Sequence, residues 1–203
     1  MILRIFLLLS IFLFLEACSP QDLKQVKEVD PDGNTEQFKL SKKSGQKNGL
    51  YQLFRPDGSV IEIAHYEEGL LNGRRILFYE SMDTMIIETH QTGRYEGIYR
   101  SFYPDGKIKI SGYYTDNQMQ GWWEKYYPSG ALMEKVTFID NLENGPFIEY
   151  HENGEVSVEG QYLDGDNDHG ELKFYTEDGK HYKSMLCDKG LCKTSWRLDS
   201  DSL

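Results

Sequence analysis

The sequence predicts an all-β protein: an elongated antiparallel β-meander built from tandem hairpin repeats. Three observations lead to this fold. A glycine recurs at nearly constant spacing, a turn motif follows each glycine at a fixed distance, and the segment after each turn alternates between apolar and polar residues. Short strands that are joined only by short turns pair antiparallel, because parallel pairing needs long crossover connections.

The recurring glycines, called leading glycines below, define six repeats. Four intervals between them are 24 residues and the last is 25. A period of this length is typical of a repeat array in which each unit contacts mainly its neighbours. The leading glycines are Gly49, Gly73, Gly97, Gly121, Gly145 and Gly170.

A turn motif follows five of the six leading glycines. Proline presets φ for a turn and glycine tolerates positive φ, so Pro-Asp-Gly and Asn-Gly sequences predict a turn between two strands. The second repeat departs from the motif with Glu80-Ser81-Met82-Asp83. The five matching motifs are Pro56-Asp57-Gly58, Pro104-Asp105-Gly106, Pro128-Ser129-Gly130, Glu152-Asn153-Gly154 and Glu177-Asp178-Gly179.

Aromatic rings recur in the same register. We expect rings of successive repeats to pack in ladders that supply much of the buried apolar area, with Tyr126 packed against both neighbouring repeats and Tyr175, near the end, against fewer. Five residues after the leading glycines stand Phe54, Phe78, Phe102, Tyr126, Tyr150 and Tyr175. Seventeen residues after them stand Tyr66, His90, Tyr114, Phe138 and Tyr162.

The second strand of each repeat alternates with period two, which indicates a half-buried strand. In the fourth repeat, Glu134 and Val136 fall on one face while Lys135 falls on the other. Trp122 and Trp123 are adjacent in the first strand of that repeat, so they point to opposite faces and at least one is partly exposed. We take this pair as the candidate binding surface, with packing inside the sheet as the alternative.

The N-terminus has the pattern of an export signal. Arg4 precedes an apolar run over residues 5–15, which is too short to span a bilayer but suits a signal-peptide core. Leu15-Glu16-Ala17-Cys18 then resembles the bacterial lipobox, although Glu16 departs from it. The pattern predicts a signal peptide over 1–17 and a lipid on Cys18. An ordinary secretory leader and an uncleaved anchor are the alternatives.

The segments around the array are less regular. Residues 18–45 are interpreted as a tether with a possible N-terminal cap, because Pro31-Asp32-Gly33 lies 25 residues before Gly58. The six repeats occupy 46–192, and 193–203 is interpreted as a C-terminal tail.

Two cysteines close the array. Cys187 and Cys192 are separated by four residues. Outside the cytoplasm, two close cysteines usually form a disulfide. We expect a disulfide, with two free thiols as the alternative.

The composition argues against several functions. A formal net charge of −11 disfavours nucleic-acid binding. No nucleophile, zinc-binding or phosphate-binding motif occurs, so we expect no catalysis, no cofactor and no metal. The loop Asp164–Gly170 offers carboxylates to Ca²⁺, but it lacks the EF-hand pattern and is interpreted as a solvated turn.

The repeats resemble a known family. Gly121-Trp122-Trp123-Glu124-Lys125-Tyr126-Tyr127-Pro128-Ser129-Gly130 is similar to the bacterial variant of the MORN repeat, and the resemblance covers roughly residues 45–186. It implies an elongated sheet that binds partners or acts as a spacer, with no shared catalytic residues. Some bacterial members carry an antitoxin label.

These observations together predict a lipid-anchored scaffold or binding protein of the cell envelope. We expect a monomer that binds an unknown protein partner and the membrane through its lipid. The outer membrane is favoured over the inner, because Ser19 rather than Asp follows Cys18. The alternative is an immunity or antitoxin-like protein that captures a toxin, and a carbohydrate-acting or metal-dependent enzyme is the weakest possibility.

Overall fold

A computed structural model describes residues 22–199 of the chain. It confirms the predicted all-β fold: fifteen strands form one antiparallel sheet in which each strand pairs with the next along the chain. The strands are β1 Leu23–Val29, β2 Thr35–Ser41, β3 Gly49–Phe54, β4 Val60–Glu67, β5 Leu70–Phe78, β6 Thr84–Gln91, β7 Arg94–Phe102, β8 Ile108–Thr115, β9 Gln118–Tyr126, β10 Leu132–Ile139, β11 Leu142–Tyr150, β12 Val156–Tyr162, β13 Asp168–Tyr175, β14 His181–Asp188 and β15 Leu191–Arg197.

Five-residue turns occupy one end of the sheet, at the predicted motifs. In the third repeat, Tyr103 N donates to Lys107 O at 2.8 Å and Gly106 N donates to Tyr103 O at 2.9 Å. Gly106 has a φ of 83°, which glycine adopts without strain. The second repeat forms the same turn although its motif is broken, because Met82 takes the glycine position with a φ of 69°.

Two-residue turns occupy much of the opposite end. Asp116 and Asn117 connect β8 to β9 with φ values of 50° and 68°. Two successive residues with positive φ form the turn type whose twist matches that of the flanking strands. Aspartate and asparagine tolerate this conformation better than other residues with side chains, which explains the polar loops between repeats.

The leading glycines lie at bulges within the first strands. Tyr99 pairs with Glu88 and Tyr95 pairs with His90, so β7 carries two more residues than β6 across this interval. Gly97 lies in this bulge with a φ of 116°. A side chain would be strained in this conformation, and this requirement explains the 24-residue glycine period.

A central row of side chains crosses one face of the sheet, called the aromatic face below. The row contains the residues two positions after each leading glycine and their partners on the second strands. It includes two buried clusters, one around Tyr51 and Ala64 and one around Val136, Phe147 and Leu172. A single-layer sheet has little other interior, so this row contains most of the buried apolar side chains.

The structure corrects the predicted aromatic ladder. The rings five residues after each leading glycine are half-buried, and Tyr126 donates to Glu124 of its own repeat on the face opposite the central row. Within residues 22–199, no ring contact joins two members of that series. Equivalent strands lie about 9–10 Å apart, and side chains of the intervening second strands stand between these rings, at Val60, Thr84, Ile108, Leu132 and Val156.

The structure also differs from the predicted ends of the array. The segment 18–45, predicted as a tether with a possible cap, contains the complete β1–β2 hairpin around its Pro-Asp-Gly turn. Val26 of β1 lies opposite the buried Phe38, so this hairpin extends the apolar row. The predicted tail 193–203 begins inside β15, which pairs with β14.

Candidate binding surfaces

The two adjacent tryptophans lie on opposite faces, as strand geometry requires. Trp123 is 7% exposed on the aromatic face, whereas Trp122 is 42% exposed on the other. The predicted binding pair therefore divides into one packed side chain and one accessible side chain. Each tryptophan belongs to a different candidate surface.

Trp123 is surrounded by rings on the aromatic face. Its ring centroid lies 5.0 Å from that of Tyr114, 5.7 Å from that of Tyr99 and 6.0 Å from that of Phe138. The ring covers Gly112, where a Cβ atom would lie only 2.1 Å from it. Rings therefore pack in a row that joins adjacent strands and, over Gly112, also joins Trp123 of β9 to Tyr99 of β7.

A shallow cavity of about 300 Å³ lies against these rings. Tyr99, Tyr114, Trp123 and Phe138 form its aromatic walls, and Glu134 and Glu143 also line it. The Trp123 Nε1 atom is buried and has no hydrogen-bond partner among the described residues. An unsatisfied buried donor costs about 1–3 kcal/mol, so the packing of this ring carries a penalty.

Carboxylates gather beside this cavity. Glu134 pairs directly with Glu149 across β10 and β11, an arrangement of like charges that destabilises a sheet. Burial, followed by the negative charges of Glu134 and Asp166, raises the pKa of Glu143. Burial, followed by Glu134 and Asp168, also raises the pKa of Glu149, while Lys125 acts in the opposite direction.

An exposed apolar row crosses the opposite face and is called the Trp122 row below. Ile98 pairs with Tyr113 across β7 and β8, and Trp122 lies on the next strand. Their side chains are 43%, 46% and 42% exposed, respectively. Lys135 Nζ lies 4.9 Å from the Trp122 ring centroid and 3.2 Å from Glu124, so charged groups border the row.

A buried polar network replaces the rings in the second repeat. Arg75 donates to Glu62 at 2.7 and 3.1 Å and to Glu88 at 3.0 Å, and His90 lies 3.0 Å from the same Glu88 oxygen. The hydrogen bonds that Arg75 donates to Glu62 and Glu88 raise its pKa, and it therefore stays charged. Glu88 and His90 are buried, at 3% and 5% exposed, while Arg75 keeps 28% of its side chain exposed.

Sequence reasoning missed a series of hydrogen bonds that links the five-residue turns. The hydroxyl of Tyr103 donates to Tyr126 O of the next repeat at 2.7 Å. The same contact recurs at 24-residue intervals, and this period was the signal available in the sequence. The other members are Arg55 to Phe78 O, Tyr79 to Phe102 O, Tyr127 to Tyr150 O and His151 to Tyr175 O.

The two cysteines face each other in the last hairpin. Cys187 pairs with Cys192 across β14 and β15, and a disulfide of 2.02 Å joins their sulfur atoms. Asp168 lies beside this pair. Sulfur atoms that are bonded to each other are not thiolates, so this group lacks the ligands that a soft metal ion needs.

The loop considered for Ca²⁺ is held by local contacts. Asn167 donates to Asp164 O at 3.1 Å, and Lys189 lies 3.9 Å from the Asp164 carboxylate. These contacts agree with the interpretation as a turn. Burial raises the pKa of Asp168, which lies at the start of β13.

The proposed lipid attachment site, Cys18, lies outside the described residues. Within residues 22–199, no helix has the length and apolarity needed to cross a membrane.

Three hairpins match a described family. The MORN repeat variant matches residues 95–116, 119–140 and 143–164. Residues 95–164 therefore contain three repeats of the MORN variant type. A search of curated proteins finds no match. The matched segments correspond to the hairpins β7–β8, β9–β10 and β11–β12, which contain the ring-walled cavity and the Trp122 row.

Proposed function

We propose that this chain is a lipid-anchored scaffold or binding protein of the cell envelope, without catalytic activity, that holds a partner protein on its repeat sheet. The observation that carries this proposal is the Trp122 row. It presents three large apolar side chains, each more than 40% exposed, on neighbouring strands of the sheet.

The composition of this row suits a protein partner. Aromatic residues are enriched in protein interfaces and often provide most of the binding energy. Single exposed apolar side chains are common, but a contiguous patch marks an interaction surface. The members of the Trp122 row lie on three successive strands, β7, β8 and β9, and polar side chains such as Thr137 and Lys135 border it.

The lipid provides the membrane contact in this proposal. Only four residues separate Cys18 from Leu23, where β1 begins. An extended chain spans at most about 3.5 Å per residue, so a lipid on Cys18 holds the first strand within roughly 18 Å of its anchor point. The anchored sheet would present its faces near the membrane surface.

Two experiments test the proposal separately. Labelled fatty acid should enter the wild-type chain but not Cys18→Ala, and incorporation that survives this change would exclude the anchor.

For the partner, the detergent-solubilised wild type and Trp122→Ser are used to capture envelope proteins, with Trp196→Ser as the matched control. Trp122 and Trp196 are both 42% exposed, but Trp196 lies on the terminal strand β15.

The expected result is a partner that the wild type and Trp196→Ser retain and Trp122→Ser loses. Equal retention by all three proteins would show that the Trp122 row is not the contact surface. Identification of the retained partner as a toxin would favour the immunity interpretation over the scaffold.

A further inference from the structure

We propose that the ring-walled cavity on the aromatic face is a second binding site, and that it receives an arginine or lysine side chain from a basic segment of a protein partner. This site lies on the sheet face opposite the Trp122 row. The two surfaces can therefore be tested independently.

The walls of the cavity suit a long cationic side chain. Tyr114 and Trp123 pack edge to face 5.0 Å apart, and Phe138 continues the wall on the next strand. The faces of aromatic rings attract cations, and the aliphatic stem of a lysine or arginine packs well on apolar surfaces. A volume of about 300 Å³ lies at the lower end for small-ligand sites, which favours one side chain over a larger ligand.

The charges around the cavity select a cation. Glu134 and Glu143 line it, and Glu149 lies directly across from Glu134. Within residues 22–199, none of these three carboxylates forms an ion pair within 4.0 Å. Lys125 is the basic residue that lines the cavity, and it is exposed.

Carboxylates on the opposite face of the sheet, by contrast, form ion pairs with lysines. There, Glu124 pairs with Lys135 at 3.2 Å and Glu159 pairs with Lys173 at 3.5 Å. Glu124, which also borders the cavity, and Glu159 are therefore neutralised within the protein, whereas Glu134, Glu143 and Glu149 are not. Partly buried negative charge without a counter-ion is electrostatically complementary to a basic partner.

A basic segment explains this site better than a metal ion does. Hard metal ions prefer several oxygen ligands around one point, whereas four of the groups that surround this cavity are rings. The combination of aromatic walls and carboxylates matches a side chain with an apolar stem and a charged end. The net charge of −11 also favours the approach of a basic partner.

Binding of a synthetic peptide to the full chain in detergent tests this proposal. The probe is a fluorescein-labelled peptide that contains three arginines among serine and leucine residues, and the matched peptide carries norleucine in place of each arginine. We expect the arginine peptide to bind the wild type and the norleucine peptide to bind at least about tenfold more weakly, a difference of ~1.4 kcal/mol.

Variants of the chain locate the site. The double variant Glu134→Gln with Glu143→Gln should weaken the arginine peptide by about tenfold or more, whereas Lys125→Met should tighten it. Glu171→Gln is the matched control, because Glu171 is exposed and lines a different depression beside Pro146. It should leave the affinity within about twofold.

Indole signals in NMR spectra of the ¹⁵N-labelled chain provide the second readout. They are assigned with Trp122→Phe, Trp123→Phe and Trp196→Phe. The arginine peptide should shift the Trp123 signal and leave the Trp122 and Trp196 signals in place.

Three results would overturn the proposal: equal binding of both peptides, equal weakening by Glu171→Gln, or a shift of Trp122 alone. The last two would indicate general attraction to an acidic chain or binding at the Trp122 row. Loss of the cavity site would leave the partner capture by Trp122 untouched, so failure of this proposal is distinguishable from failure of the proposed function.

Discussion

The second and fourth repeats share one backbone and fill its central row with opposite chemistry. Two residues after the leading glycine, the second repeat has Arg75, bonded to two carboxylates, and the fourth has Trp123, packed among rings. Both repeats form the same five-residue turn and the same bulge at the leading glycine. The comparison shows that turns and glycines specify the backbone, while the row accepts either apolar or ionic contents.

The ionic row of the second repeat and the aromatic row of the fourth differ in which charged groups they leave unpaired. The ionic row uses buried charges that must remain paired, whereas the aromatic row leaves neighbouring carboxylates such as Glu134 unpaired. The Trp122 row lies on the third and fourth repeats, which are two of the three matched repeats and whose central row is aromatic. This difference separates a structural part of the array from a part that is suited to binding.

The largest expected effect comes from breaking the aromatic row at Trp123. Replacing a buried large aromatic residue by alanine costs about 3–5 kcal/mol, and Trp123 contacts rings on three other strands. Trp123→Ala should lower the free energy of unfolding by this amount in urea denaturation followed by circular dichroism. Tyr126→Ala should cost less because that ring is half-buried, and the control Trp122→Ala should cost least. Equal losses at positions 122 and 123 would contradict the assignment of the two faces.

Breaking the ionic row at Arg75 should give the next largest effect. Removal of one partner from a buried ion pair costs about 3–5 kcal/mol, and we expect about 2–3 kcal/mol here because Arg75 remains 28% exposed. Arg75→Tyr restores the residue type of the third repeat but leaves Glu62 and Glu88 uncompensated.

A triple variant sharpens this test. Glu62→Ile, Arg75→Tyr and Glu88→Val together convert the row to the apolar type, and replacement of a complete buried ionic group by apolar residues is often neutral or stabilising. The triple variant should recover most of the stability that the single variant loses. A triple variant as unstable as Arg75→Tyr would show that the second repeat cannot accept an apolar row.

Mild acidification should stabilise the folded chain through Glu143 and Glu149. The raised pKa values of Glu143 and Glu149 mean that the folded chain binds protons more readily than the unfolded chain. The free energy of unfolding should therefore rise as the pH falls from about 7 toward the ordinary glutamate pKa of 4.5. Melting temperatures across this range measure the effect, which should be smaller in Glu149→Gln.

Further acidification should reverse this gain. Hydrogen bonds within the five-residue turns lower the pKa of Asp57 and Asp105, so their contribution is present above the ordinary aspartate value of 3.8 and is lost as the pH falls below it. A melting temperature that falls steadily from about pH 7 to about pH 5 would contradict the presence of unpaired carboxylates.

The smallest expected effect concerns the hydrogen bonds between turns. Tyr103→Phe removes the bond to Tyr126 O and should cost about 0.5–1.5 kcal/mol. The control is Tyr113→Phe, since Tyr113 is 46% exposed on the Trp122 row. Hydrogen exchange should show faster opening of the turn at Pro128 in Tyr103→Phe. Unchanged exchange would mean that this hydroxyl contributes no stability.

The sequence was sufficient for the fold because its strongest signals are local. The leading glycines and the Pro-Asp-Gly motifs each correspond to a backbone conformation that depends on one residue, as the φ values of Gly97 and Gly106 show. The apolar–polar alternation of the second strands also correctly predicted that Val136 and Lys135 point to opposite faces of the sheet. The Asp32-Gly33 turn was also visible, but it was interpreted as a possible cap rather than as a complete β1–β2 hairpin.

The candidate surfaces were predicted only in part, because side-chain contacts depend on strands that are distant in sequence. The Trp122–Trp123 pair was identified, yet the sequence alone did not show which ring is buried. That depends on Gly112, which lies eleven residues earlier and leaves room for the Trp123 ring. The predicted ladder of rings five residues after each leading glycine was wrong because side chains of the intervening second strands lie between those rings, whereas Tyr99 and Trp123 meet over Gly112.

The sequence by itself therefore determined the repeat length, the turns, the strand alternation and the antiparallel order, since each follows from the conformational preferences of a few neighbouring residues. The tertiary structure decided which face is buried, which rings touch and where carboxylates remain unpaired, since these properties arise only when strands lie about 4.8 Å apart in a fixed register. The different roles of Arg75 and Trp123 are among the properties that the tertiary structure decided. Both residues stand at the same position of the repeat, and only their neighbours across the sheet give each its role.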